Sequence, residues 1–182
     1  MSTVSFRIAS LIILTVSSIQ TGLAGDTGWN QWRGPERTGI LAPGSLGTDL
    51  DETSLKRQWS IGLGPGYSGP IARANRVFLT ETRDKKSEVV RAVDLNTGKQ
   101  IWKTEWEGAM TVPFFAMTNG SWIRSTPALV DDDLIVAGMR DVLVCLSADT
   151  GKIKWRVDFT KALNSPLPSF GFVCSPLVDG EF

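Results

Sequence analysis

The chain has 182 residues, 42% of them hydrophobic and 21% charged, with 19 basic side chains balanced by 19 acidic ones. This is a globular composition with enough apolar residues for a core, and it offers neither a basic nucleic-acid-binding face nor an acidic tail. Histidine is absent, which removes the commonest general base, the usual zinc ligand and any Cys-x-x-Cys-His haem site.

In chain order, residues 1–24 read as a secretory signal peptide. Arg7 supplies a weak positive start, Ile8 to Ile19 is mostly apolar, and Gly22-Leu23-Ala24 offers small residues for cleavage. The apolar run is shorter than the about 20 residues needed to cross a bilayer. An uncleaved anchor is the alternative. Cleavage predicts a periplasmic or secreted protein with no transmembrane span. Export would place Cys145 and Cys174 where a disulfide can form. Both sit in strand-like apolar runs, VLVCLS and FGFVCSPL, and the favoured expectation is a free Cys packed as a small hydrophobe.

Residues 25–54 form a lead-in that carries Trp29-Asn-Gln-Trp32-Arg33-Gly34-Pro35. The stretch LKRQWSIG (55–62) has the form of a lone outer strand with Trp59 on it. At Pro70 a strand opens, Ala74-Asn75-Arg76 turns it, and an apolar run returns. VVRAVD (89–94) predicts a third strand, Asn96-Thr97-Gly98-Lys99 a turn, and the following residues a fourth strand bearing Trp102. The same order recurs from Pro127: Asp131-Asp132-Asp133, VLVCLS (142–147), Asp149-Thr150-Gly151-Lys152 and Trp155. Gly98 and Gly151 suit turns that need a positive φ. The units run over about 68–106 and 125–159, and a third opens at about 174 with CSPLVDGEF.

Thr-Gly-Lys-x-x-Trp is therefore spelled twice, 53 residues apart, each time at the end of a predicted four-stranded antiparallel unit. Tandem units of this kind mark β-propeller blades. The motif resembles the tryptophan-docking motif of the quinoprotein-dehydrogenase-like propellers, Ala-x-Asp-x-x-Thr-Gly-x-x-x-Trp. Ala92, Asp94, Thr97, Gly98 and Trp102 match it fully; the second copy keeps Thr150, Gly151 and Trp155 but has Cys145 and Ser147 at the Ala and Asp positions. The lead-in and FGFVCSPLVDG (170–180) also look like those of exported bacterial members. The resemblance implies an all-β propeller fold in which Trp102 and Trp155 are structural, each wedged between its own blade's turn and a neighbouring blade. Two full blades with flanking strands fall short of the about 4–8 of a closed ring. The expectation is an N-terminal part of a larger propeller, with the remaining blades as partners, or a truncated gene product; assembly of a ring from several short chains is the rival.

For a dehydrogenase, the resemblance further implies a vicinal Cys-Cys disulfide, a calcium ion, an Asp base and a Trp beneath pyrroloquinoline quinone. Cys145 and Cys174 are 29 residues apart, so the disulfide hallmark is missing from this region. Quinone with calcium rests on the resemblance alone, and the residues themselves nominate no catalytic group and no metal ligand. The Asp131-Asp132-Asp133 run lacks the spaced acids and distal Glu of a calcium loop and reads as a hairpin turn.

Binding residues are expected elsewhere. The insertion GAMTVPFFAMTNGSW (108–122) brings Phe114, Phe115, Met117 and Trp122 onto a loop-like segment, and a second connection, 164–170, ends in Phe170. Loops on rigid scaffolds often carry binding; the alternative is a flap over inter-blade core. Together the two connections would line one mouth of the propeller. Arg33, Arg124 and Arg140 are the cations nearest these motifs, able to grip anions bidentately. The resulting expectation is a non-catalytic binding or scaffold module of the cell envelope, similar to outer-membrane assembly propellers, that holds a protein or small-molecule ligand. The alternative is a quinoprotein dehydrogenase oxidising an alcohol or sugar, its cofactor residues in further blades.

Overall fold

Short apolar runs separated by polar turns fold into two four-stranded antiparallel sheets, each with its strands in sequence order. The computed structural model describes residues 28–41, 43–44, 50–53 and 55–180; the segment read as a signal peptide lies outside them. The first sheet holds β1 (Ile71–Arg73), β2 (Arg76–Arg83), β3 (Ser87–Asp94) and β4 (Gln100–Glu107). The second holds β5 (Ala128–Val130), β6 (Asp133–Gly138), β7 (Val142–Ser147) and β8 (Ile153–Asp158).

β2, β3, β6 and β7 are rich in Val, Leu and Ile and bury residues on both of their faces, as expected of strands covered on two sides. Ile71, Phe78, Val90 and Trp102 of the first sheet share one core cluster with Leu129, Leu134, Val144 and Leu146 of the second, and Ile123 of the connecting loop joins them. The two sheets are consecutive propeller blades, and the described residues are all-β apart from two short turns of helix.

The blades match in detail. Ala92 faces Trp102 across β3 and β4, Cys145 faces Trp155 across β7 and β8, and the register slips immediately after Ala92 and after Cys145. Such an irregularity re-aims the side chains beside it, and here it sits next to the tryptophan in both blades. Gly98 and Gly151 close the adjoining turns at φ 68° and 72°, a conformation that costs glycine nothing.

Three segments differ from expectation. The insertion forms a 3-10 turn over Phe114–Asn119, set off by Pro113. Residues 55–62 carry no strand, although Trp59 Nε1 donates to the Leu95 carbonyl at 2.7 Å; just beyond them Gly64 N donates to Glu81 Oε2 (2.5 Å) and the Pro65 carbonyl accepts from Thr82 N (2.8 Å) as the chain passes β2. Residues 174–180 likewise carry no strand, although Ser125 Oγ donates to the Cys174 carbonyl at 2.6 Å. The expected flanking strands are thus absent from the described residues.

The lead-in acts as a strap across the first strands of both blades. The Trp29 carbonyl accepts from Ala72 N (2.8 Å) on β1 and the Asn30 carbonyl from Leu129 N (2.8 Å) on β5. Arg37 Nη1 then reaches the Pro176 carbonyl at 2.9 Å. β8 runs directly into a single helical turn, α1 (Phe159–Ala162), capped by Asp158. No helix among the described residues is long and apolar enough to cross a membrane.

Candidate functional site

The repeat turns are built around a carboxylate. In the first blade Asp94 Oδ1 accepts from Asn96 N (3.1 Å), Thr97 N (2.8 Å) and Thr97 Oγ1 (2.8 Å), while Oδ2 accepts from Asn75 Nδ2 (2.5 Å). Those donors, Thr97 foremost, hold the Asp94 carboxyl below the usual carboxylate range.

The second blade reaches the same end by exchange. Ser147 stands in place of Asp94; its Oγ accepts from Thr150 N (3.2 Å) and donates to Asp132 Oδ1 (3.3 Å), which also accepts from Asp149 N (3.0 Å). Asp132 occupies the turn position of Asn75, so carboxylate and partner have traded strands. The Asp131-Asp132-Asp133 run is accordingly a turn, and Lys154 Nζ bridges Asp132 (3.0 Å) and Asp133 (2.5 Å).

The tryptophan of the first full motif reaches forward to the turn of the following blade. Trp102 is buried, donates from Nε1 to the Ala148 carbonyl at 2.9 Å, and lies so close over Gly151 that a Cβ there would stand 2.5 Å from its ring. Trp59 repeats the arrangement one unit earlier: its Nε1 donates to the Leu95 carbonyl at 2.7 Å and its ring covers Gly98. Trp155 departs from the expected wedge. It is 41% exposed and its indole has no partner among the described residues, because no described turn lies over it.

Of the four aromatic side chains expected to bind, three come together. Phe115 stacks edge-to-face with Phe114 (ring centroids 5.7 Å apart) and with Phe170 (6.1 Å), so the two inter-blade connections meet. Phe114 is 85% exposed, Phe115 70% and Phe170 42%, so the cluster lies at the surface of the described residues. Trp122 is set apart, half-buried against Gly120, and with Met110, Met117 and Lys85 it lines a cleft of about 180 Å³.

The three arginines singled out in the sequence do not converge. Arg33 Nη2 donates to the Thr38 carbonyl (2.7 Å) and its guanidinium lies over Trp32; Arg124 Nη2 donates to the Gly120 carbonyl (3.2 Å) and lies over Tyr67. Arg140 projects from the turn between β6 and β7 and is exposed. Both cysteines are free, Cys145 buried and Cys174 exposed. Burial, and then Asp133, pushes the Cys145 thiol up to about 11, so it is an inert packing group.

Sequence reasoning missed Glu88. This side chain is fully buried on β3. Its Oε1 accepts from Met139 N of the second blade at 2.5 Å and its Oε2 from Trp106 Nε1 at 2.8 Å. Gly108 leaves it room: a Cβ there would stand 2.5 Å from Oε2. Burial pushes the Glu88 carboxyl up to about 7, against the opposing pull of Met139, Trp106 and Arg156. Glu88 lies just before the strand predicted over 89–94, and the observed strand β3 begins one residue earlier, at Ser87.

The calcium of a quinoprotein site needs several oxygen ligands. Among the described residues no group of three or more Asp, Glu, Cys or His side chains is placed to hold a metal, so the residues present do not fit that ion.

The profile of the family described as outer membrane protein assembly factor BamB matches residues 85–181, just over half of the chain. The chain belongs to that family. It is also similar in structure to BamB from Moraxella catarrhalis (16% identity, TM-score 0.42, covering 54% of this chain and 27% of that one). Two further similar structures are the quinohemoprotein alcohol dehydrogenase from Comamonas testosteroni (20%, 0.40, covering 54% and 14%) and a europium-containing methanol dehydrogenase (17%, 0.39, covering 55% and 17%). The chain spans less than a third of the length of each of these structures. No match was found among curated proteins.

Proposed function

We propose that this BamB-family chain is a non-catalytic binding module of the bacterial cell envelope that engages a protein partner through the aromatic cluster at one end of its blades. The observation that carries this reading is the Phe115–Phe170 contact, which joins two separate inter-blade connections into one exposed apolar surface with Phe114. Clustered exposed aromatics are characteristic of protein interfaces, where they supply large contact area at low entropic cost. The family description, an assembly factor, favours a protein over a small molecule. In this reading the protein works in the periplasm, and quinone and calcium have no part in it.

Photo-crosslinking in the native envelope tests the proposal. A photoreactive residue at position 114 or at position 170 is expected to capture the same protein, and Phe115→Ala to abolish capture from both. Lys152, on a repeat turn, serves as the control position. Equal capture from position 152, or none from 114 and 170, would overturn the reading. Saturable quinone binding with calcium and dye-linked alcohol oxidation by the full-length protein would instead favour a dehydrogenase.

A further inference from the structure

We propose that the cleft between the two blades, separate from the aromatic cluster, is a binding site for a hydroxylated oxyanion, the class that includes sugar phosphates and uronic acids. The cleft is about 340 Å³, within the range that holds a small ligand. Three elements bring cations to it: Arg140 from the turn between β6 and β7, Arg156 from β8 and Lys161 from α1.

Among the described residues, Arg140 and Arg156 both bring guanidinium groups without partners to this one cleft. Arg76 pairs with Asp149, Arg83 with Glu105 and Arg91 with Glu81, whereas neither Arg140 nor Arg156 makes a hydrogen bond or ion pair among the described residues. Both are exposed, so a ligand can reach them from solvent. A guanidinium offers a planar fork of donors that matches carboxylate or phosphate oxygens two at a time. Two such forks with an ammonium beside them define where the anionic end of a ligand would sit.

The remaining walls say what else the ligand carries. Glu107 and Asp158 also line the cleft. Asp158 is already engaged, accepting from Thr160 Oγ1 at 2.6 Å and capping α1 through Lys161 N at 3.4 Å, with Lys161 Nζ 3.6 Å away. Glu107 has no ion-pair partner among the described residues. Ionised carboxylates only accept hydrogen bonds, so they repel a bare polyanion and favour one that also presents hydroxyls. Leu167 adds an apolar wall, suited to the C–H face of a sugar ring.

Titration calorimetry on the full-length protein tests this with glucose 6-phosphate and glucuronate as probes and with glucose and inorganic phosphate as the discriminating arms. At least one acidic sugar is expected to bind, more tightly than glucose or inorganic phosphate, and the tighter of the two identifies the preferred oxyanion. Arg140→Gln and Arg156→Gln should each weaken binding about tenfold or more, the loss expected for a charge-assisted contact, with an unchanged unfolding midpoint. Glu107→Gln should shrink the preference for glucose 6-phosphate over inorganic phosphate. Three results would each overturn the proposal: no binding of either acidic sugar, undiminished binding in the Arg140→Gln/Arg156→Gln double variant, or equal affinity for inorganic phosphate and glucose 6-phosphate. Binding that survives Phe115→Ala would show that the site works independently of the aromatic cluster.

Discussion

Trp102 and Trp155 occupy one position in two copies of the same motif, yet the first is buried and the second is open to solvent. Within their own blades their settings agree. Each faces a small residue across the ladder, Ala92 or Cys145, beside the same slip of register, and each follows a glycine turn. The difference lies in what comes over the ring: the Ala148 to Gly151 turn of the next blade covers Trp102. Trp59, on the corresponding turn of the first blade, shows the same direction of contact. The motif therefore links each unit to its successor, and the indole, with a large apolar face and one N–H to satisfy, suits that task.

The sharpest test is a pair of truncations. Trp102→Ala should cost ~3–5 kcal/mol, as for removal of a buried aromatic, measured by urea unfolding of this chain. Trp155→Ala in the same chain should cost no more than roughly 0.5 kcal/mol, the range for surface substitutions. Equal losses would break the comparison. In a longer protein with a further blade packed on β8, the cost of Trp155→Ala should rise toward that of Trp102→Ala.

Glu88 ties the same two blades together by a polar contact, and its effect runs with pH. Burial raises its carboxyl from 4.5 to about 7 in the folded chain, so between those values the folded state holds a proton that the unfolded state has released. The stability Glu88 contributes is full below the unfolded value and is lost as pH rises through about 7, an effect on the order of 3 kcal/mol. The melting temperature should fall from pH 5 to pH 8, and Glu88→Gln, which removes the titration, should flatten that slope. A profile identical in both proteins would exclude Glu88 as its source.

A smaller loss is expected where Gly151 meets Trp102. Gly151→Ala places a Cβ 2.5 Å from the ring on a backbone at φ 72°, and crowding of this kind costs about 1–3 kcal/mol. If the unfolding midpoint of Gly151→Ala matches that of the parent chain, the ring is not held against the turn.

The blades were legible because their signals are local. A polar pair after Pro70 or Pro127, a glycine turn and a tryptophan each constrain a few adjacent residues, and β7 falls on the predicted residues 142–147. The strand expected at 55–62 failed because strand identity needs a partner edge, which no run of residues announces. Long-range contacts were hidden for the same reason. Phe115 and Phe170 were each visible as loop aromatics, but their meeting depends on how both connections cross the blade ends. Arg140 was singled out with Arg33 and Arg124, which do not join it, while Arg156 and Lys161 gave no signal until the fold placed them around one cleft with it. Glu88, just ahead of the strand predicted over 89–94, gave no signal because its partners, Met139 and Trp106, lie 51 and 18 residues away.

The exchange of carboxylates between the two turns offers the finest test. Asp94 with Asn75 in one blade, and Ser147 with Asp132 in the other, satisfy the same backbone groups from opposite strands. Asp94→Ser alone should lower the urea midpoint, because Asn75 brings no carboxylate to replace the one removed. Adding Asn75→Asp recreates the arrangement of the second blade and should recover most of the loss. Residues in one hydrogen-bond network are expected to be non-additive in this way. Since Asp94 is held below the usual carboxylate range by its donors, its contribution is present above that range and is lost as pH falls, so the gap between parent and Asp94→Ser should narrow in acid. If the two substitutions instead add, each lowering the midpoint independently, the turns do not share one design and the resemblance between the blades stops at the tryptophan.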